Sequence, residues 1–190
     1  LTQQEIASQL DLPRSTVATI VSSLTNKKQL LGRAYIVNHG AEIFCIGGMN
    51  IDRKYLLEAE LMPKTSNPVT SSMSVGGVAR NISENLGRLG LNVNLLSIGG
   101  RDQDFETLKQ ATEPFVNFQH VTQLGEYSTG SYVALLDDDG DMQLALADMS
   151  VADTMNREWI SSYQNLLAQA KMIVLDLNVP LETTEYIIEL

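Results

Sequence analysis

An α/β domain with a parallel sheet, preceded by a small helix-turn-helix segment, is the fold class that this 190-residue sequence predicts. Three observations carry the prediction. Apolar strand-like runs alternate with helical patterns from Ala41 onward. Glycine pairs, Gly47-Gly48 and Gly76-Gly77, stand where one such run ends and where a helix opens. Before about residue 40, two short amphipathic patterns are broken by Asp11-Leu12-Pro13, the plan of two helices joined by a tight turn.

Bulk composition agrees with a chain that buries a core: 44% of residues are hydrophobic and 19% charged. No run of about 18 apolar residues and no charged-then-apolar leader is present in the sequence, which gives the expectation of a cytoplasmic chain without a membrane span. The single cysteine, Cys45, lies in Ile43-Phe44-Cys45-Ile46, has no internal disulfide partner and reads as a buried strand residue. Net charge is -10, but unevenly spread. Residues 1–40 hold four basic and two acidic residues, +2, whereas the rest holds nine basic and 21 acidic, -12. Only the first segment suits a phosphate backbone.

Thr2 begins the first helical pattern, with Glu5 three residues on to close a capping box and Ile6 and Leu10 on one face. The second pattern places Val17, Ile20, Val21 and Leu24 on an apolar face and leaves Arg14, Ser15, Thr16 and Thr19 outside. Leu30 to Val37 follows as a strand-like run that resembles the wing of a winged-helix domain. Leu1-Thr2-Gln3-Gln4-Glu5-Ile6-Ala7 and Ser15-Thr16-Val17 resemble the helix-turn-helix of bacterial regulators. The helix that ordinarily precedes Thr2 in such domains is absent from the sequence, so 1–39 reads as a partial winged helix-turn-helix. Arg14, Ser15, Thr16, Thr19, Lys27, Lys28 and Arg33 are its candidate DNA contacts. A helical hairpin used only for packing or dimerisation has the same pattern.

The linker is expected at His39-Gly40, and a second domain over 40–190. Its strands are read at Glu42 to Ile46, Val93 to Ile98 and Met172 to Leu177, and its helices at Val78 to Leu89 and Met155 to Ala170. Gly47-Gly48-Met49-Asn50-Ile51-Asp52 ends the first strand and then presents an amide and a carboxylate, a place where ligands of open α/β sheets collect. A carboxylate there accepts hydrogen bonds from neighbouring hydroxyls, as a sugar or nucleoside would supply; a capped turn has the same letters. Gly76-Gly77-Val78-Ala79-Arg80-Asn81 lets backbone amides approach a ligand and sets Asn81 one turn into the helix, and it is neither a Walker loop nor a dinucleotide fingerprint. The hairpin Ser131 to Asp148 is expected to turn in two residues at Asp139-Gly140. Its acidic run lacks the side chains of an EF-hand at Leu135 and Leu146. His39, His120, Trp159 and the methionines read as surface or packing residues.

These landmarks resemble the ribokinase or PfkB carbohydrate kinases, whose first signature is Gly-Gly followed by Asn at this spacing in a helix ending Leu-Gly. The order also agrees: Asn50 and Asp52, Gly76-Gly77 with Asn81, Ser97 to Asp102, Thr129 to Tyr132, and Asp176 to Glu182. Thr129 to Asp153 looks closest to pseudouridine-kinase-like and nucleoside-kinase-like members, some of which carry an N-terminal helix-turn-helix. The resemblance implies a ribokinase-like (Rossmann-like) sheet, covered by a β-lid that is often shared across a homodimer. It implies substrate contacts at Asn50, Asp52, Gly76, Gly77, Asn81 and Asn178, with ATP and Mg²⁺ as co-reactants in transfer to a hydroxyl of a sugar or nucleoside. Val78 stands where ribokinase itself has lysine, and Asp104-Phe105-Glu106 lacks the usual glycine after Phe. The Gly-Ala-Gly-Asp-like motif of the family's catalytic aspartate does not occur, and the sequence stops at Ile187-Ile188-Glu189-Leu190 within a helical pattern. The fold is therefore expected to be incomplete, with no catalytic residue or metal ligand assigned and with this stretch alone inactive. A kinase-derived ligand sensor that biases the DNA-binding segment without catalysis is the alternative.

Overall fold

The computed structural model describes residues 2–27, 29–31, 36–37 and 43–190. The chain divides into two compact units, Leu1–Ala41 and Glu42–Leu190. The expected linker at His39-Gly40 and two expected DNA contacts, Lys28 and Arg33, lie outside the described residues.

In the first unit, α1 (Gln3–Leu10) starts at the expected capping box: Thr2 Oγ1 accepts from the Glu5 N–H, and the Glu5 carboxylate accepts from the Thr2 N–H. Asp11 in the left-handed conformation ends the helix, and α2 (Arg14–Asn26) follows. A short antiparallel pair, β1 (Leu30–Leu31) with β2 (Ile36–Val37), completes the unit. Two apolar positions differ from expectation: Leu10 is 61% and Ile20 44% exposed, while Ala7 and Val17 are buried. Helices of 8 and 13 residues cover only the narrow stripe that each turns to the other, and small Ala7 occupies it.

The second unit opens with β3 (Ile43–Ile46), an unbroken apolar strand because both faces of its sheet are covered. Next come β4 (Asn50–Leu57), β5 (Val69–Gly76), α3 (Val78–Arg88), β6 (Val93–Gly100), α4 (Gln103–Thr112) and β7 (Val121–Leu124). After β8 (Gly130–Leu136) and β9 (Met142–Asp148), a 3₁₀ turn over Ser150–Thr154 leads into α5 (Arg157–Ser161), α6 (Gln164–Leu167), β10 (Met172–Leu175) and α7 (Leu181–Ile188). The parallel sheet has the order β10-β3-β6-β7, and a second, mixed sheet the order β5-β4-β8-β9.

Alternation along the parallel strands divides the core. Ile43, Cys45, Val93 and Leu95 pack with Ala79, Phe105 and Leu108, whereas Phe44, Ile46 and Leu96 pack with Ile160, Leu167 and Ile187 on the other face. Cys45 is fully buried, as its strand context predicts, and burial pushes its thiol pKa up.

Three elements depart from the sequence reading. Helical periodicity over Met155 to Ala170 resolves into two short helices, because Asn156 caps α5 and the hydroxyls of Ser161 and Ser162 take the carbonyls of Glu158 and Trp159. The β8–β9 hairpin keeps the expected pairing of Ser131 with Asp148, but it turns through 137–141 rather than through two residues. A bulge lies at Leu135/Leu136, and the Asp137 carboxylate accepts from the Asp141 N–H at 2.8 Å. Finally, β10 stops at Leu175, where Asp176 turns its carboxylate back on the following loop.

Asp102 joins the two sheets. Its carboxylate caps α4 through the Phe105 N–H and accepts from both the N–H and the hydroxyl of Thr129, the residue before β8. Burial alone would raise its pKa, but these hydrogen bonds outweigh it and hold the carboxyl below its ordinary value. A folded-state pKa lower than the unfolded one gives stability that is full above roughly pH 5 and fades as pH falls through the folded value. Asp102→Asn is accordingly expected to lower stability at pH 7 and to flatten its pH dependence below about pH 4. Urea unfolding across pH 7 to 3 checks this, and parallel curves for the two proteins would contradict it.

Candidate functional site

Both sheets end at one cleft of ≈ 570 Å³. Its floor is the turn Gly48-Met49 after β3 and the start of β4, and one wall is the Gly77 turn with the first turn of α3. The opposite wall is Gly130 and Tyr132 of β8 with Met149, Val151, Ala152, Asp153 and Met155, and Asp176 and Asn178 close the end beyond β10. Of the six expected substrate contacts, Asn50, Asp52, Gly77, Asn81 and Asn178 line this cleft. Gly76 is not among the lining residues but lies against Asp52: a Cβ there would stand 2.1 Å from Asp52 Oδ2. Asn50 and Asp52 belong to the first residues of β4, a strand of the mixed sheet, rather than to a loop at the end of β3.

Hydrogen bonding inside the protein selects which polar atoms remain for a ligand. Asn50 Nδ2 donates to Asp52 Oδ1 at 2.6 Å, which leaves Oδ2 as the carboxylate's uncommitted acceptor. Asn178 donates through both its backbone N–H and its Nδ2 to Asp176 Oδ1, at 3.0 and 2.8 Å, which leaves its own Oδ1 as an acceptor. Asp176 Oδ2 accepts from the Gly48 N–H at 3.2 Å, tying the β10 loop to the floor of the cleft. Asn81 Oδ1 accepts from Arg80, and its Nδ2 is left as a donor.

The lining contains three carboxylates, Asp52, Asp153 and Asp176, and among the described lining residues no lysine, arginine or histidine. Such a cleft suits a neutral ligand rich in hydroxyl donors, with an apolar wall of Met149, Val151 and Met155, together with Ile98 and, across the cleft, Val78, for a less polar part. It does not suit a triphosphate.

Sequence reasoning missed Asp176, Tyr132 and Asp153 as lining residues and Arg80 as the partner of Asn81. Asp176 and Tyr132 stood among the landmarks without an assigned role; nothing local marks Asp153. Arg80 had a signal: with Glu84 and Arg88 it forms a charge ladder at i, i+4 spacing inside an otherwise half-buried helix. In the first unit, Arg14, Ser15, Thr16, Thr19 and Lys27 are all exposed, and the Thr19 hydroxyl is committed to the Ser15 carbonyl.

Residues 41–190 match the family model described as pfkB family carbohydrate kinase. An Escherichia coli protein named uncharacterized sugar kinase YeiI is 31% identical over 189 residues, which cover 99% of this chain and 52% of that protein. The pseudouridine kinase of Escherichia coli is 32% identical over 148 residues, 77% of this chain and 47% of the kinase. Among solved structures, a carbohydrate kinase from Agrobacterium tumefaciens superposes with a TM-score of 0.70 at 28% identity, covering 79% of this chain and 50% of that one. The chain thus spans about half the length of the curated relatives it matches. Its α/β unit has the ribokinase-like fold.

Proposed function

Because the chain belongs to the pfkB family of carbohydrate kinases, we propose that the complete protein transfers a phosphoryl group from ATP to a hydroxyl of a neutral sugar or nucleoside, pseudouridine-like in kind, bound in this cleft. The observation that carries the reading is the convergence of Asn50, Asp52, Gly77, Asn81 and Asn178 on one cleft, with acceptors and a donor left open. Asp52 Oδ2 and Asn178 Oδ1 would accept from vicinal hydroxyls, and Asn81 Nδ2 would donate to a hydroxyl or ring oxygen. The apolar wall would hold the base and keep water from the acceptor hydroxyl. Val78, in place of a lysine, favours a nucleoside over free ribose.

ATP would supply the phosphoryl group and Mg²⁺ would neutralise its charge. The lining residues do not fit that part of the reaction, so their role is to bind and orient the alcohol. The test is ATP consumption by the complete protein with pseudouridine, uridine, guanosine and ribose, each beside its phosphorylated counterpart. Turnover of a neutral nucleoside is expected. Turnover confined to anionic acceptors, or none at all, would overturn the reading; tight nucleoside binding without ATP consumption would instead favour the ligand-sensor alternative.

Two partner readings accompany this one. Met73, Leu144 and Leu146 are more than half exposed, and their strand registers set them on one face of the mixed sheet, which supports a homodimer formed through this lid. Exposed Arg14, Ser15, Thr16 and Thr19 at the start of α2, with Lys27 at its end, support DNA contact by the first unit; Lys28 and Arg33 would add phosphate contacts. The -12 charge of the remainder opposes it, and because the basic residues act through phosphate contacts that release counterions, affinity for the protein's own upstream DNA should fall steeply with salt. A mobility shift that is absent at low salt, or untouched by Arg14→Ala, leaves α1 and α2 as a packing element.

A further inference from the structure

We propose that Arg80 is a positioning residue of the cleft: it grips Asn81 from behind, so that the amide nitrogen of Asn81 is the group offered to a ligand. The inference rests on the reading of the cleft as the acceptor site. Arg80 is 3% exposed although it carries a full charge. A single ion pair with Glu84, at 2.6 Å, would account for that charge, yet the guanidinium is spread over four acceptors. Nε donates to the Gly76 carbonyl at 3.1 Å, Nη1 to Glu84 and to Thr112 Oγ1, and Nη2 to Asn81 Oδ1. Two of the four, Gly76 and Asn81, are expected substrate contacts on opposite sides of the Gly77 turn.

An arginine has only donors, so the atom of Asn81 that meets it must be the carbonyl oxygen. The Nδ2 donor is thereby turned away from Arg80, and the cleft gains a hydrogen-bond donor amid its carboxylates. With a neutral side chain at position 80, nothing would prevent the amide from turning over and presenting a second acceptor to a ligand hydroxyl. Glu84 is anchored on its other side by Arg88 Nε at 2.7 Å, and Arg88 in turn stacks over Phe115, so the ladder holds the guanidinium in place. Burial of Glu84 opposes its ionisation, but the hydrogen bonds from Arg88 and Arg80 prevail and keep its pKa low.

A double-mutant cycle in the complete protein tests the assignment, with pseudouridine and ribose as probes. Arg80→Met is expected to raise the acceptor KM about tenfold with kcat and the ATP KM little changed, because the lost contact serves ground state and transition state alike. Asn81→Ala should do the same, and the double variant should be no worse than Asn81→Ala by more than about twofold, because Arg80 acts through Asn81. Multiplied effects, about a hundredfold in the double variant, would mean that Arg80 only supports the fold and would overturn the proposal. If Arg80→Met does not fold, Arg80→Lys takes its place in the cycle, since it keeps the charge beside Glu84 and loses the fork. If the wild type turns over neither probe, the kinase reading is what has failed, and ¹⁵N spectra decide on Arg80 separately. Its guanidinium resonances should shift in Asn81→Ala, and unshifted resonances would sink the assignment.

Discussion

Asp52→Ala is expected to lower kcat/KM of the complete protein for its acceptor by about 2–4 kcal/mol, roughly 30-fold to a thousandfold, through loss of charge-assisted hydrogen bonds. The size follows from how little else the site offers in that place. Asn50 takes one oxygen of the carboxylate, and the other lies over Gly76, where no side chain could stand, so no neighbour can move in as a substitute acceptor. Asp52→Asn should lose nearly as much, because an amide nitrogen toward the ligand donates where the substrate also donates. Steady-state kinetics measures both, with a thermal melt as the control for folding. Rates within twofold of wild type would show that hydroxyl recognition resides elsewhere in the cleft.

How far the sequence discloses this site can be read residue by residue. Asn50, Asp52, Gly77 and Asn81 were legible because each sits beside a glycine pair, and glycine pairs mark the places where chain and ligand come close. Asn178 came only through its family resemblance. Asp176 carries no such mark: its importance lies in the Gly48 N–H, 128 residues away, and a hydrogen bond over that separation has no local trace. The same holds for Asp102, which stood among the landmarks without a role and whose part as cap of α4 and link to Thr129 appears only in the fold. Strands β3 and β6 were legible since burial on both faces makes them continuous apolar runs. The helix read over Met155 to Ala170 failed for the opposite reason: its apolar spacing reports which side faces the sheet, while serine hydroxyls and the Asn156 cap decide where the backbone stays helical.

Gly77→Ala is expected to cost about 3 kcal/mol or more of stability. Gly77 has φ +98°, outside what side-chain-bearing residues adopt readily, and a Cβ would stand 2.4 Å from both the Gly48 carbonyl oxygen and the Met49 Cα. Both are backbone atoms, so no side chain can rotate aside to make room. Relief would come only by moving the β5–α3 turn away from the β3–β4 turn, the two segments that bring Asn81 opposite Asp52. Gly90 is the matched control: its φ is +83°, but nothing lies within 4 Å of a Cβ there. Gly90→Ala should therefore cost only its backbone conformation, about 1 kcal/mol. Urea unfolding of the two variants separates conformation from crowding, since both share the first and only Gly77→Ala suffers the second. Equal midpoints would mean that the two turns can part without cost, and the close approach at Gly77 would then have no part in holding the cleft together.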